Sequence, residues 1–204
     1  MQRQQRLHEQ QVRVHVCGRV HDKGMQAKII SCRQTERKEL GQCDQLTGSY
    51  TEQFLVDTAK AWLEEAALCN HVVICATIDI DYFASVNELY GHPVGDQILV
   101  HLANVCEELL QGEHAFVARA GDDEFAVFWR YCSFEGGIDQ AINLFTHIQE
   151  SAFIWEDEVI PLSVSMGIAH NELGAINKFE ELFDLAQQAL KQSKHKGRNQ
   201  YSII

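Results

Sequence analysis

Arg119-Ala120-Gly121-Asp122-Asp123-Glu124-Phe125 is the stretch whose reading decides the fold. Three consecutive carboxylates follow a glycine, with apolar runs on either side at residues 114–118 and 125–129. Such a pattern predicts two strands joined by a tight acidic turn. Adjacent acids repel one another, so stability alone does not select them. A hard divalent ion, which takes oxygen ligands and keeps phosphates as co-ligands, would relieve the repulsion. A solvated acidic turn is the competing reading.

A second acidic cluster lies upstream. Residues 71–78 (His-Val-Val-Ile-Cys-Ala-Thr-Ile) form a nearly continuous β-branched run, the pattern of a strand buried on both faces. It runs into Asp79-Ile80-Asp81, which places Asp79 at the strand's C-terminal end, where open α/β sheets bind ligands. Two acidic sites at strand ends suit metal-assisted phosphoryl or nucleotidyl transfer, in which ions polarise a phosphate and activate a hydroxyl. Asp81 reads as a cap for the following helix.

The chain has 204 residues, enough for one substantial domain and a short appendage. No stretch approaches the ~18–20 apolar residues of a membrane span, and residues 1–11 carry no signal-peptide pattern. Seven scattered cysteines suit reduced thiols in a cytoplasmic protein better than a disulfide framework. The net charge of −12 divides unevenly: residues 1–43 hold nine Lys/Arg against four acids, and the remainder eight against twenty-five. A body so acidic is a poor nucleic-acid surface. Residues 1–39 read as a basic leader, helical or poorly ordered, that could dock a protein partner. His15, Cys17, His21 and Cys32 within it match no standard zinc spacing.

From residue 40 the periodicities predict a helix over 51–70, the strand ending at Asp79 and a short helix through Phe83, Val86 and Leu89. A break at Gly91-His92-Pro93 precedes a long amphipathic helix over 94–111. The acidic hairpin, a helix over 138–151, a strand over 159–169, a helix over 179–194 and a terminal strand over 200–204 complete the domain. Helices separating most strands indicate an α+β, layered α/β fold.

Six short patterns stand in a fixed order: Asp44-Gln-Leu-Thr-Gly48; Asp79-Ile-Asp-Tyr-Phe83; Asn87 with Gly91-His92 and Gly95-Asp96; the acidic turn; Ser165-Met-Gly-Ile-Ala169; and Lys194-His-Lys-Gly-Arg-Asn199. Together they resemble the GGDEF family, diguanylate cyclases that make cyclic di-GMP from two GTP, over residues 40–204. The resemblance implies a polymerase-palm-like, nucleotidyl-cyclase-like sheet flanked by helices. It implies Mg²⁺ or Mn²⁺ held by Asp79, Asp123, Glu124 and the main-chain carbonyl of Ile80, with Asp123 and Glu124 serving catalysis. Asn87 and Asp96 would recognise guanine, Phe83 and Gly121 would adjoin the nucleotide, and Lys194 and Arg198 would contact phosphate. A homodimer would bring two GTP molecules together. Spacing places Lys194 and Arg198 one turn apart if the helix continues. Tyr82 would lie near the pocket, and Arg119 would brace Asp44.

Each assignment has a plainer rival: Asn87 capping a turn, Asp96 capping the long helix, Lys194 and Arg198 solvated at a helix C-terminus. His92 reads as a structural hydrogen bonder and the cysteines as core filling. The chain also departs from the family's pattern. Asp122 replaces the second signature glycine, Ala84 replaces a lysine and Glu88 an aspartate, and residues 49–53 lack an Asn-Arg pair. Gly112 and Ala115 replace the Arg and Asp of the inhibitory product site. The expectation is a diguanylate cyclase, with a degenerate, non-catalytic GTP-binding or protein-docking regulator as the alternative.

Overall fold

A computed structural model describes residues 41–69, 71–110, 114–131, 133–171 and 176–204. The expectations for the leader, the His/Cys quartet and Gly112 lie outside the described residues. Helix α1 (Glu52–Cys69) precedes strand β1 (Val72–Ile80), followed by α2 (Phe83–Tyr90) and α3 (His92–Leu109). The acidic hairpin is β2 (Ala115–Arg119) and β3 (Glu124–Tyr131), and α4 (Phe134–Glu150) follows. Strands β4 (Phe153–Trp155), β5 (Glu158–Ile160) and β6 (Val164–His170), helix α5 (Phe179–His195) and β7 (Tyr201–Ile203) complete it. The main sheet has the order β2-β3-β1-β6-β7, antiparallel except for the β6–β7 pair. It is the α+β, palm-like arrangement expected.

Side-chain alternation divides the core into two layers. Ile74, Ala76, Ile78 and Ile80 of β1 join Phe125, Val127 and Trp129 of β3 against α3 and α4. Val73 and Cys75 join Ala126 and Phe128 against α1 and α5. β1 is therefore buried on both faces, as its unbroken apolar run requires. Cys75 and Cys106 are buried core residues, as expected, whereas Cys69 is exposed.

Three boundaries differ from the sequence reading. α4 starts four residues early, at Phe134, because the Ser133 hydroxyl accepts from the Gly136 amide and caps it. The adjacent glycines hid that start; at Gly137 a Cβ would lie 2.6 Å from Ile74 Cγ1, so only glycine lets α4 settle there. The expected strand over 159–169 is two strands, interrupted at Pro161. The first of them pairs with β4 through a two-residue turn in which Glu156 and Asp157 both have positive φ. α3 begins at His92 rather than Val94, with Gly91 alone separating it from α2.

α5 approaches β6 backbone to backbone. A Cβ at Gly167 would lie 2.1 Å from the Ala186 carbonyl oxygen and 2.1 Å from the Leu190 amide nitrogen. Thr77 of β1 donates its hydroxyl to the same Ala186 carbonyl at 3.2 Å. Helix backbone thus lies directly on sheet backbone. Gly167→Ala is expected to push α5 off the sheet and cost on the order of 3 kcal/mol; a thermal midpoint within 2 °C of wild type would refute it.

Candidate active site at the acidic end of the sheet

The last β1–β3 ladder pair is Asp79 opposite Glu124. Directly opposed residues share a face, with Cβ atoms ~4.5–5.5 Å apart, so the two acid clusters of the sequence meet here. Their face is the one that α5 covers. Lys194 Nζ lies 2.6 Å from Asp79 Oδ2, and Gln187 donates its side-chain amide to Glu124. Gln187 and Lys194 are seven residues apart, two helical turns, and so project from one stripe of α5. Gln187 is absent from the sequence-derived site, although its spacing from Lys194 was the signal that could have found it.

Burial raises the Asp79 carboxyl above its ordinary pKa; Lys194 opposes this, while Asp123 and Asp81 add to the rise. Burial likewise raises Glu124, opposed by Gln187 and Lys194 and reinforced by Asp79 and Asp123. The site therefore carries more negative charge than its own cation neutralises. Ile80 supplies a further oxygen. The Asp81 amide donates to Ser163 on the β6 side, so strand alternation turns the Ile80 carbonyl toward β3, beyond the last ladder pair. Carboxylates and a carbonyl are the donors a hard divalent ion takes, so the donor set fits one in chemistry. Among the described residues no three His, Cys, Asp or Glu side chains stand close enough to hold a metal by themselves. Here the Lys194 ammonium is the counter-ion of Asp79.

Asp81 does not cap α2, contrary to expectation. It is 5% exposed and accepts from Ser163 Oγ at 2.9 Å, Ser165 Oγ at 2.7 Å and the Asn199 amide at 2.9 Å. It pins the chain's C-terminal segment to the end of β1. The N-cap of α2 is Tyr82, left-handed at φ 57°, ψ 31°, with no side-chain cap. Arg198 is also placed differently from the reading. α5 ends at His195, and Gly197, Arg198 and Asn199 have φ of 117°, 64° and 49°. Arg198 therefore leaves the helical track and lies over the Tyr82 ring, 4.6 Å from its centroid.

Asn87 lies inside α2, and its main-chain carbonyl accepts from the Gly91 amide. Its Oδ1 is buried without a hydrogen-bond partner and so caps no turn. A Cβ at Gly95 would come within 1.9 Å of that oxygen and 3.2 Å of Phe83 Cζ. Phe83, Asn87 and Gly95 thus form one α2–α3 corner, with the exposed Asp96 next along α3. Because α3 starts at His92, Asp96 lies beyond its first turn and does not cap it. His92 is exposed at the helix start, beside the left-handed Gly91.

Arg119 braces Asp44 as expected, with Nη1 3.1 Å from Oδ1. It also donates from Nε to the Gly121 carbonyl at 3.2 Å and from Nη2 to the Asp122 carbonyl at 2.7 Å. One guanidinium thus shapes the acidic turn. The Ala120 and Gly121 amides both donate to the Glu124 carbonyl, closing the loop. None of residues 121–123 has positive φ, so Asp122 sits in the turn without backbone strain, its side chain exposed.

The family described as "Diguanylate cyclase, GGDEF domain" matches residues 42–200. The protein named probable diguanylate cyclase DgcF of Escherichia coli K12 is 30% identical over 164 residues, covering 79% of this chain and 51% of that protein. Diguanylate cyclase SiaD of Pseudomonas aeruginosa, solved in complex with its activator SiaC, superposes with a TM-score of 0.73 at 21% identity over 98% of this chain and 75% of that one. The GGDEF domain of DgcB from Caulobacter crescentus, solved with c-di-GMP, gives 0.72 at 24% identity over 79% of this chain and 95% of that one. The chain belongs to the GGDEF domain family of diguanylate cyclases. It spans about half the length of the curated relative it matches in Escherichia coli K12. Among the described residues no helix is long and apolar enough to cross a membrane.

Burial alone would raise the Asp44 carboxyl, but the Thr47 amide and hydroxyl and the Arg119 guanidinium outweigh it and hold the pKa below 3.8. A depressed folded pKa contributes stability that is fully present above the unfolded value and lost as pH falls through the folded one. Asp44→Asn is therefore expected to lower stability by on the order of 1 kcal/mol at neutral pH. In urea titrations the gap to wild type should narrow as pH falls through and below the ordinary aspartate range; a gap of constant size down to strongly acidic pH would show that the carboxylate charge is not what matters.

Proposed function

We propose that this domain is a diguanylate cyclase, condensing two GTP molecules into cyclic di-GMP with release of pyrophosphate. The observation that carries the reading is the convergence of Asp79 and Glu124 as opposed ladder partners beneath Lys194. Asp79, Glu124, Asp123 and the Ile80 carbonyl would hold Mg²⁺ or Mn²⁺. That ion supplies Lewis-acid polarisation of phosphate and acidifies an attacking hydroxyl. Lys194, paired here with Asp79, would supply balancing charge to a triphosphate whose ion those acids hold. Asn87, packed against Gly95 at the α2–α3 corner, would turn its amide to a guanine edge, which offers both donors and acceptors. Asp96, next to Gly95 and exposed, would accept from the same base, with Phe83 and Gly121 adjoining the nucleotide.

The reaction joins two nucleotides, each held by one copy of the domain, so the working unit is a homodimer in which one 3′-hydroxyl faces the other GTP's α-phosphorus. The product of that geometry is a signalling nucleotide, and the domain's place is the cytoplasm, where GTP is available. The second reading, a non-catalytic regulator that binds GTP or a partner protein, draws on one feature: Asp122 adds an exposed carboxylate beside the triphosphate position.

Purified chain incubated with GTP and Mg²⁺ should yield cyclic di-GMP and pyrophosphate, with ATP a poor competitor. Asp79→Ala should reduce turnover at least a hundredfold, and Asp122→Gly should raise it several-fold. GTP binding with no cyclic product from either wild type or Asp122→Gly would favour the regulator. A preference for ATP would remove the roles given to Asn87 and Asp96.

A further inference from the structure

Among the described residues Arg198 is in no ion pair seen here, in a chain whose net charge is −12. Lys194 pairs with Asp79, Arg119 with Asp44, Arg130 with Glu65 and Lys60 with Glu180. Among the described residues the Arg198 guanidinium is instead seen over an aromatic face, that of Tyr82. The backbone on both sides of this contact is held in a costly form. Tyr82 is left-handed without being glycine, and so are Arg198 and Asn199 after the left-handed Gly197. Each such residue is strained and persists only where its surroundings impose it.

Those surroundings are specific. The Arg198 amide donates to the Ser193 carbonyl at 3.0 Å, and the Arg198 carbonyl accepts from Gln200 Nε2 at 3.2 Å. The Asn199 amide donates to Asp81, the residue before Tyr82. Asp81 thus ties the two left-handed segments together and sets ring and guanidinium face to face. The Tyr82 ring is 63% exposed, so burial of its own surface does not explain its position. An arginine on a ring face keeps its N–H donors at the edge of the plane, where an anion can still meet them.

We propose that Tyr82 is a positioning residue for Arg198: its ring holds the guanidinium pre-oriented for the phosphates of a nucleoside triphosphate bound at the Asp79–Glu124 end of the sheet. The inference rests on the GTP reading above and adds to it the part of the protein that aims this cation. Pre-orientation lowers the ordering cost of binding, and the contribution of an exposed cation–π contact corresponds to about a two- to fivefold change in affinity.

Calorimetric binding of α,β-methylene-GTP with Mg²⁺ to the full chain tests it, because that analogue cannot release pyrophosphate. Tyr82→Leu should raise Kd about threefold, and Tyr82→Phe should restore the wild-type value. In an Arg198→Ala background Tyr82→Leu should add nothing. Tyr82→Gly should weaken binding as Leu does while leaving the thermal midpoint unchanged or higher, since glycine accepts the left-handed backbone; a purely structural role for the ring would lower both. Wild-type affinity in Tyr82→Leu, or the same loss with and without Arg198, overturns the proposal. Inorganic tripolyphosphate separates the two readings. Wild type that binds tripolyphosphate through Tyr82 and Arg198 but not the GTP analogue overturns the guanosine reading alone, and binding of neither overturns both.

Discussion

The seating of α5 on the sheet at Gly167 is the constraint on which the rest depends. Backbone meets backbone there, with the Ala186 carbonyl and the Leu190 amide each within 2.1 Å of where a side chain would begin. That contact fixes the height of α5 above β1 and β3. Only at that height do Gln187 and Lys194, each about one turn from Leu190, reach Glu124 and Asp79. A helix even one methyl group farther out would leave two half-buried carboxylates facing each other without a donor. The missing side chain at Gly167 is thus the origin of the charge balance at the sheet's end, several residues away.

The distribution of cations follows the same logic. The domain is strongly acidic, so unassigned positive charge would be drawn to the nearest carboxylate. Lys194 and Arg119 are each committed to an acid inside the site or its supporting turn. Arg119 does more than neutralise: by holding the carbonyls of Gly121 and Asp122 it gives the acidic turn a fixed shape. Arg198 is placed by backbone strain and a ring instead of by a carboxylate. The result is an end of the sheet where acids are concentrated and each nearby cation has a defined direction.

Much of this was legible in the residues, for identifiable reasons. The continuous run of β1 could only be a strand covered on both sides, and the acids at the ends of β1 and β3 had to meet once those strands paired. The Arg119–Asp44 brace followed from family resemblance. The misreadings come from two sources: backbone conformations with weak signatures in residue type, and partners remote in sequence. Glu156-Asp157 forms a left-handed turn without the usual Asn-Gly, so β4 goes unread and β5 merges with β6 into one longer expected strand. Lys194 and Arg198 have helical spacing, but Gly197 ends the track between them and sends Arg198 to Tyr82. Asp81 precedes a helix as a cap would, yet Ser163, Ser165 and the Asn199 amide, remote in sequence, claim both its oxygens. No local pattern encodes a partner 118 residues away.

The departure at Asp122 reduces to a question of charge once the turn's geometry is known. A signature glycine is usually needed where φ is positive or where chain must pass close to something. Here φ is not positive at any of residues 121–123, so the first reason does not apply. The Asp122 side chain is exposed, and Arg119 holds its carbonyl, so the hairpin keeps its form. What is left is one more negative charge near phosphate. At ~4–6 Å and an effective dielectric of ~20, a like-charge contact costs on the order of 3–4 kcal/mol before screening. Exposure lets solvent and the side chain's own rotation reduce that, and a divalent ion between acid and phosphate would reverse its sign. On the diguanylate cyclase reading proposed above, the substitution would act on nucleotide affinity and metal demand, and not on whether the acidic turn can form.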